Sequence, residues 1–204
     1  MKCSLVLSER AYSMVRADCL KHAQTETGGL LLGRKLGADF VVPFTVSAGP
    51  EADRSLAGFA PDSGFQQAHL DFLFTRFAVD YLGDWHRHPG RYDRPSAHDR
   101  KTARHIVTDP EWSKPEAVFP IAIIRGDVVT VRAYLMRRDQ EDFEELPLEV
   151  VPDKDRRIRR VLLSDLKPRK GVLPHVCLSC GCSRSARSRG VLRILPRLRR
   201  RAAR

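Results

Sequence analysis

Between Trp85 and Arg100 the chain reads His86-Arg87-His88-Pro89, a short loop, and then Ser96-Ala97-His98-Asp99. That run offers two imidazoles, a hydroxyl and a carboxylate. A hydrolytic zinc takes three protein ligands from His and Asp or Glu and keeps its fourth position for water, so His86, His88 and Asp99 are the candidate ligands. In an extended strand residues two apart share a face; His86 and His88 then point together while Arg87 points away. A general base must come from elsewhere, and Glu26 stands upstream in Gln24-Thr25-Glu26-Thr27-Gly28-Gly29. The chemistry open to this set is amide hydrolysis without a covalent intermediate. Glu26 would move a proton from water to the departing amine, and Ser96 would donate a hydrogen bond to the oxyanion.

Each residue also has a plainer reading. Ser96-x-x-Asp99 fits a capping box, in which hydroxyl and carboxylate satisfy free amides at a helix start. An aspartate at the third helical position can still turn its carboxylate towards a metal, so both readings stand. His86 and His88 alone would be two histidines on a polar strand face, and Glu26 alone an acid in a turn. His98 reads as an exposed helix residue, because a fourth protein ligand would displace the water.

The elements that must hold these residues follow from periodicity. Leu5–Leu7 reads as a short strand. Ser8 caps a helix from Glu9 to about His22, with Ala11, Met14, Val15 and Cys19 on one face. Gly28–Gly33 is a buried strand whose hairpin partner is Phe40–Val46 across Lys35-Leu36-Gly37-Ala38. Pro43 confines that partner to an edge or a bulge. A Gly/Pro/Ser-rich connector (Ser47–Ser63) leads to a helix reaching about Val79, with Phe65, Ala68, Phe72, Leu73 and Arg76 at helical spacing. Tyr81–His88 is a strand, Ser96 starts a helix to about Ile106, and Ala117–Ile124 pairs with Val128–Met136 across Arg125-Gly126-Asp127. The expected fold is α/β, a mixed and largely antiparallel sheet flanked by helices.

Charge divides the chain unevenly. Residues 154–204 hold 17 Lys and Arg against two Asp, whereas residues 1–153 hold 19 basic and 23 acidic side chains. This predicts a domain over 1–153 and a basic, largely disordered extension over 154–204. Within the extension, Ile158, Val161, Leu162 and Leu166 suit one short amphipathic helix. Its Arg-rich end suits a nucleic acid, an anionic lipid or an acidic protein face as an electrostatic tether, without aromatics for base stacking. His175, Cys177, Cys180 and Cys182 form a second cluster of metal donors. Structural zinc sites use two separated ligand pairs, so a zinc knuckle and reduced thiols both stay open there. No apolar run is long enough for a membrane span, and the N-terminus lacks the features of a secretory signal. Five cysteines, an odd count, do not suggest a disulfide framework, and the expected compartment is the cytoplasm.

His86-x-His88-Pro89 followed by Ser96 and Asp99 resembles the JAMM motif of JAB/MPN-domain metalloproteases. Glu26 followed by Thr27-Gly28-Gly29-Leu30-Leu31-Leu32-Gly33 resembles the segment carrying that family's catalytic glutamate. Gly83-Asp84-Trp85 is similar to the lead-in of bacterial members. The similarity spans about residues 3–136. It implies a zinc (Zn2+) isopeptidase on a cytidine-deaminase-like α/β fold, cleaving after the C-terminal glycine of a ubiquitin-like protein. It also implies E1- and E2-like partners, including in anti-phage operons. Arg87 departs from the usual Ser or Thr between the histidines, and the loop Pro89–Pro95 carries Arg91 and Arg94, which suits an acidic tail or partner. Processing of a sulfur-carrier ubiquitin-like protein is the rival within the enzyme class. An inactive scaffold, and a nucleic-acid-associated module acting through the basic tail, are the rivals outside it.

Overall fold

The computed structural model describes residues 3–110 and 114–163. Strand β1 (Leu5–Ser8) turns directly into helix α1 (Glu9–Lys21) at Ser8. The Ser8 hydroxyl accepts from the Ala11 amide at 3.0 Å, capping the helix, and donates to the Pro43 carbonyl at 3.2 Å. Strands β2 (Thr27–Leu36) and β3 (Asp39–Ser47) form the expected hairpin. The connector after β3 is not plain loop: β4 (Asp53–Arg54) and β5 (Phe59–Ala60) pair within it as a small separate hairpin. Helix α2 (Ser63–Phe77), capped by Asp62, leads to β6 (Asp80–Arg87), which ends one residue short of His88. Helix α3 (Ala97–Thr108), β7 (Glu116–Val118), β8 (Ile121–Arg125) and β9 (Val128–Arg137) follow. The chain continues through β10 (Glu144–Leu146), β11 (Leu148–Val151) and α4 (Arg156–Leu163).

The main sheet runs β10-β9-β7-β6-β2-β3-β1-β11, with β8 bridging β6 and β9. It is mixed: β1 pairs in parallel with β3 and β11, and β6 in parallel with β7 and β8. Alternation along the strands builds two cores, one on each face of the sheet. Leu5, Leu7, Leu31, Phe40, Val42 and Trp85 pack under α1 with Ala11, Val15 and Cys19. Val6, Leu30, Leu32, Val41 and Tyr81 pack on the other face with Leu70 of α2, Ala103 and Ile106 of α3, and Ile158 and Val161 of α4. Cys19 is fully buried, which pushes its thiol up to about 12, and no disulfide forms among the described residues.

One expectation is met through its second alternative and three change. Pro43 lies in an interior strand, since β3 pairs on both sides; it is accommodated where the register slips between Leu32↔Phe44 and Arg34↔Val41, the bulge alternative. The expected strand 117–124 is broken into β7 and β8 by Phe119-Pro120, and β9 pairs with both pieces. On α2 Phe65 and Leu73 pack against the core as expected, but the fully buried positions are Gln66 and Leu70, and Phe72 is left exposed. Gln66 can be buried because its amide donates to the Ser47 carbonyl at 3.0 Å. On α1, Met14 lies in the open beside the buried Ala11, Val15 and Cys19.

The packed body also continues past residue 153. The apolar side of α4 is in the core, with Ile158 and Val161 fully buried. At about 1.5–3 kcal/mol for each buried aliphatic side chain, removing α4 costs several kcal/mol. A chain cut after Asp153 should therefore unfold at clearly lower denaturant than one cut after Leu163, measured by urea titration.

Candidate metal centre

Strand β6 carries the site because it is held on both sides. Gly28 pairs with His86 and Thr27 with Arg87 in the antiparallel ladder to β2. On the other side the His86 amide donates to the Pro120 carbonyl and the His88 amide to the Ala122 carbonyl, both at 3.0 Å. The close approach of β2 requires glycine at position 28: a Cβ there would lie 2.4 Å from the Trp85 carbonyl and 2.5 Å from the Phe59 ring. Gly83 sits at φ 148° with the Val118 carbonyl 1.8 Å from where a Cβ would be, so β7 can draw up against β6 just before the histidines.

The alternation expected for His-x-His is observed. His86 and His88 bring their Nε2 atoms to 2.8 Å of each other, and both point at Asp99 from the first turn of α3. One Asp99 oxygen lies 3.3 Å from His86 Nε2 and the other 3.3 Å from His88 Nε2. Ser96 and Asp99 form the capping box as well: the Ser96 amide donates to Asp99 Oδ2 at 2.6 Å, and the Asp99 amide donates to the Ser96 hydroxyl oxygen at 3.2 Å. Both readings of Ser96-x-x-Asp99 hold together. Capping occupies a lone pair of the Ser96 hydroxyl and leaves its proton available to a ligand.

This donor set fits a divalent cation. Metal–ligand distances of about 2.0–2.1 Å in a tetrahedral zinc site separate neighbouring donors by roughly 3.3 Å, close to the spacings seen here. The ligand atoms of His86, His88 and Asp99 all lie within 4.8 Å of one another. The Nδ1 of His88 lies 2.9 Å from the Tyr92 carbonyl and must donate to it, which leaves the Nε2 lone pair facing the cluster. His98 is exposed and outside the cluster.

The electrostatics follow from the same contacts. Burial opposes charge on Asp99, but hydrogen bonds from His86 and His88 outweigh it and hold the carboxyl far below the usual carboxylate range. Burial also opposes charge on His88, yet Asp99, the Tyr92 carbonyl and Glu26 together raise its pKa. Glu26 is pushed up by burial, with His86 and His88 pulling down and Asp99 adding to the rise. Asp84, on the same strand, is pushed up to about 7 by burial, with the Tyr81 hydroxyl opposing.

Glu26 is the last residue before β2, and contacts that sequence reasoning did not assign hold it there. Its amide donates to the Ser55 carbonyl of the β4–β5 hairpin at 2.7 Å. Next to it, the Thr27 hydroxyl donates to Asp18 at 2.7 Å and accepts from Arg54 at 3.2 Å. Arg87 reaches from the opposite face of the sheet to the Thr25 and Ala23 carbonyls, each at 2.6 Å. The loop 89–95 is pinned by Asp93, whose carboxylate meets Arg125 at 3.1 Å and Arg132 at 3.4 Å, while its carbonyl accepts from the Tyr134 hydroxyl at 2.8 Å. Arg91 and Arg94 remain exposed on that loop, and Arg91 and Arg125 line a cavity of about 550 Å³. His175, Cys177, Cys180 and Cys182 lie outside the described residues, as does most of the basic extension.

Comparison with known proteins agrees with this architecture. A solution structure of a protein from Desulfitobacterium hafniense superposes with a TM-score of 0.58 at 21% identity, covering 72% of this chain and 93% of that one, and so shares the fold. A CD-NTase/cGAS isopeptidase of Enterobacter hormaechei subsp. hoffmannii (strain UCI 50) is 28% identical over 125 residues, 60% of this chain and 67% of that protein. Proteins of the same name from Escherichia coli (strain TW11681) and Vibrio cholerae serotype O1 are 32% identical over 84 residues and 33% over 93. Those two matches cover 40% and 44% of this chain, and 53% and 60% of the relatives' own lengths. The family model of prokaryotic homologs of the JAB domain matches residues 8–139, a span holding Glu26, both histidines, Ser96 and Asp99. The chain belongs to the prokaryotic JAB-domain family.

Proposed function

We propose that this protein is a zinc-dependent isopeptidase that hydrolyses the amide after the C-terminal glycine of a ubiquitin-like protein. The observation that carries the reading is the convergence of His86 Nε2, His88 Nε2 and the two Asp99 oxygens, with Glu26 one residue before the ladder that pairs β2 with the histidine strand. His86, His88 and Asp99 would hold the cation. When bound, zinc supplies Lewis acidity and makes water a nucleophile near neutral pH.

The chain's own groups do the rest. The Glu26 carboxylate, desolvated enough to accept a proton, takes it from the attacking water and carries it to the leaving amine. The Ser96 hydroxyl donates to the carbonyl oxygen as charge builds there. The Tyr92 carbonyl, accepting from Nδ1, keeps His88 in the tautomer that presents its Nε2 lone pair. The relatives' names favour a conjugate of a CD-NTase-type enzyme as the substrate over a sulfur-carrier protein; E1- and E2-like partners follow from the family resemblance alone. Purified full-length chain should hold about one zinc, and should cut a ubiquitin-like protein fused at its C-terminal glycine in a chelator-sensitive way. A zinc-loaded chain that leaves every such fusion intact would refute the reading.

The cations beside the centre bear on substrate choice. Asp93 is already paired with Arg125 and Arg132, so Arg91 and Arg94 leave the loop net positive. Fusions with acidic residues flanking the scissile bond should be cut faster than basic ones, with the advantage shrinking as salt rises. Replacing Arg91 and Arg94 by Glu should lower kcat/KM on the acidic fusion about tenfold; equal rates on acidic and basic fusions would contradict this.

A further inference from the structure

We propose that Arg87 is the positioning residue of the candidate base: its guanidinium clamps the chain from Ala23 to Thr25 and thereby holds Glu26 against the centre built by the two histidines that flank Arg87. The inference rests on Glu26 acting as the base, as read above. The β2–β6 ladder begins at Thr27↔Arg87, so Glu26 is the first residue beyond it. Two contacts stop that residue from swinging. One is its own amide bond to the Ser55 carbonyl; the other is the grip of Arg87 on the carbonyl immediately before it.

The residue type is specific to that task. Arg87 is only 3% exposed, and its two terminal nitrogens donate to carbonyls two residues apart, at 2.6 Å each. A planar fork can make both bonds, whereas an ammonium offers a single point charge. The bonds fall just past the C-terminal end of α1, where free carbonyls and the helix dipole favour a cation. The cost of putting a charge there is visible in its buried Nε, which finds no acceptor among the described residues. Packing alone would be better served by an uncharged side chain. Because Arg87 lies between His86 and His88, one tripeptide both presents the histidines and grips the base segment. Each is referenced to the same backbone.

The test uses the full-length, metal-loaded chain and two readouts. Arg87→Ala should keep its zinc and its KM while kcat falls about 100-fold, the usual consequence of a reacting group displaced by about 1 Å. Arg87→Lys, which keeps the charge, should recover part of that loss. Guanidinium ion at tens of millimolar should restore the Ala variant at least severalfold and leave the wild type unchanged. Independently of any cleavage, hydrogen exchange at residues 23–26 should quicken about 100-fold in Arg87→Ala while the β2 and β6 amides stay protected. A wild-type kcat in Arg87→Ala, joint loss of zinc and activity in both variants, or unchanged exchange at 23–26 would overturn the proposal. A wild-type chain that cuts no fusion refutes the isopeptidase reading, and the exchange comparison then decides whether the clamp exists.

Discussion

Glu26→Gln should cut a ubiquitin-like fusion roughly 10³-fold more slowly than the wild type while binding zinc with unchanged stoichiometry. The size follows from what a positioned general base contributes, typically 10²–10⁴ in rate. The amide side chain matches the carboxylate in shape, and the backbone bond from residue 26 to Ser55 does not involve the side chain. The fold therefore has no reason to change. The charge it removes is an unfavourable one, raised in pKa by burial and by Asp99. With the metal removed by chelator, Glu26→Gln should accordingly be at least as stable as the wild type at pH 7 and above. The sign follows from linkage: a carboxyl raised in the folded state contributes stability below its unfolded pKa that is lost as pH rises through the folded one. Thermal melts at pH 7 and pH 8, beside single-turnover cleavage, check both halves. A Gln variant that cleaves at the wild-type rate would remove Glu26 from the mechanism.

His88→Ala should behave differently, losing metal and activity together. His88 is buried and makes three contacts at once: with Asp99, with His86 and, through Nδ1, with the Tyr92 carbonyl. Its removal takes one of three donors and leaves the Tyr92 carbonyl without that partner, while Asp93 still pins the loop. Loss of the cation forfeits several kcal/mol of transition-state stabilisation, on the order of 10³-fold or more in rate. Zinc content by mass spectrometry should fall from about one per chain to near zero, and added zinc should not restore cleavage. Retention of stoichiometric zinc in His88→Ala would mean the cation binds elsewhere.

The contrast between these variants rests on residues that were readable in the chain. Strand alternation alone puts His86 and His88 on one face, and the capping signal alone puts Ser96 and Asp99 at the start of α3. Both survive in the fold because they depend on periods of two and of one helical turn. What joins them is long-range. Asp99 reaches the histidines because α3 packs across the face of the sheet that bears them, and no local pattern states that. Arg87 illustrates the limit well: alternation correctly turns it off the metal face, but its carbonyl partners are more than 60 positions away in sequence. The β4–β5 hairpin, with two-residue strands, is too short to show periodicity, yet it supplies the carbonyl that holds the Glu26 amide. The exposed Phe72 misled the reading of α2 because hydrophobicity marks a core face only when no buried polar side chain, here Gln66, takes that place.

Anomalous X-ray scattering at the zinc edge, on crystals of the purified full-length chain, tests the central claim most directly. A single peak should lie about 2.0–2.1 Å from His86 Nε2, His88 Nε2 and one Asp99 oxygen, with the Glu26 carboxylate outside the coordination shell. A fully zinc-loaded crystal with no peak between those three side chains, or with Glu26 itself as a ligand, would contradict the account.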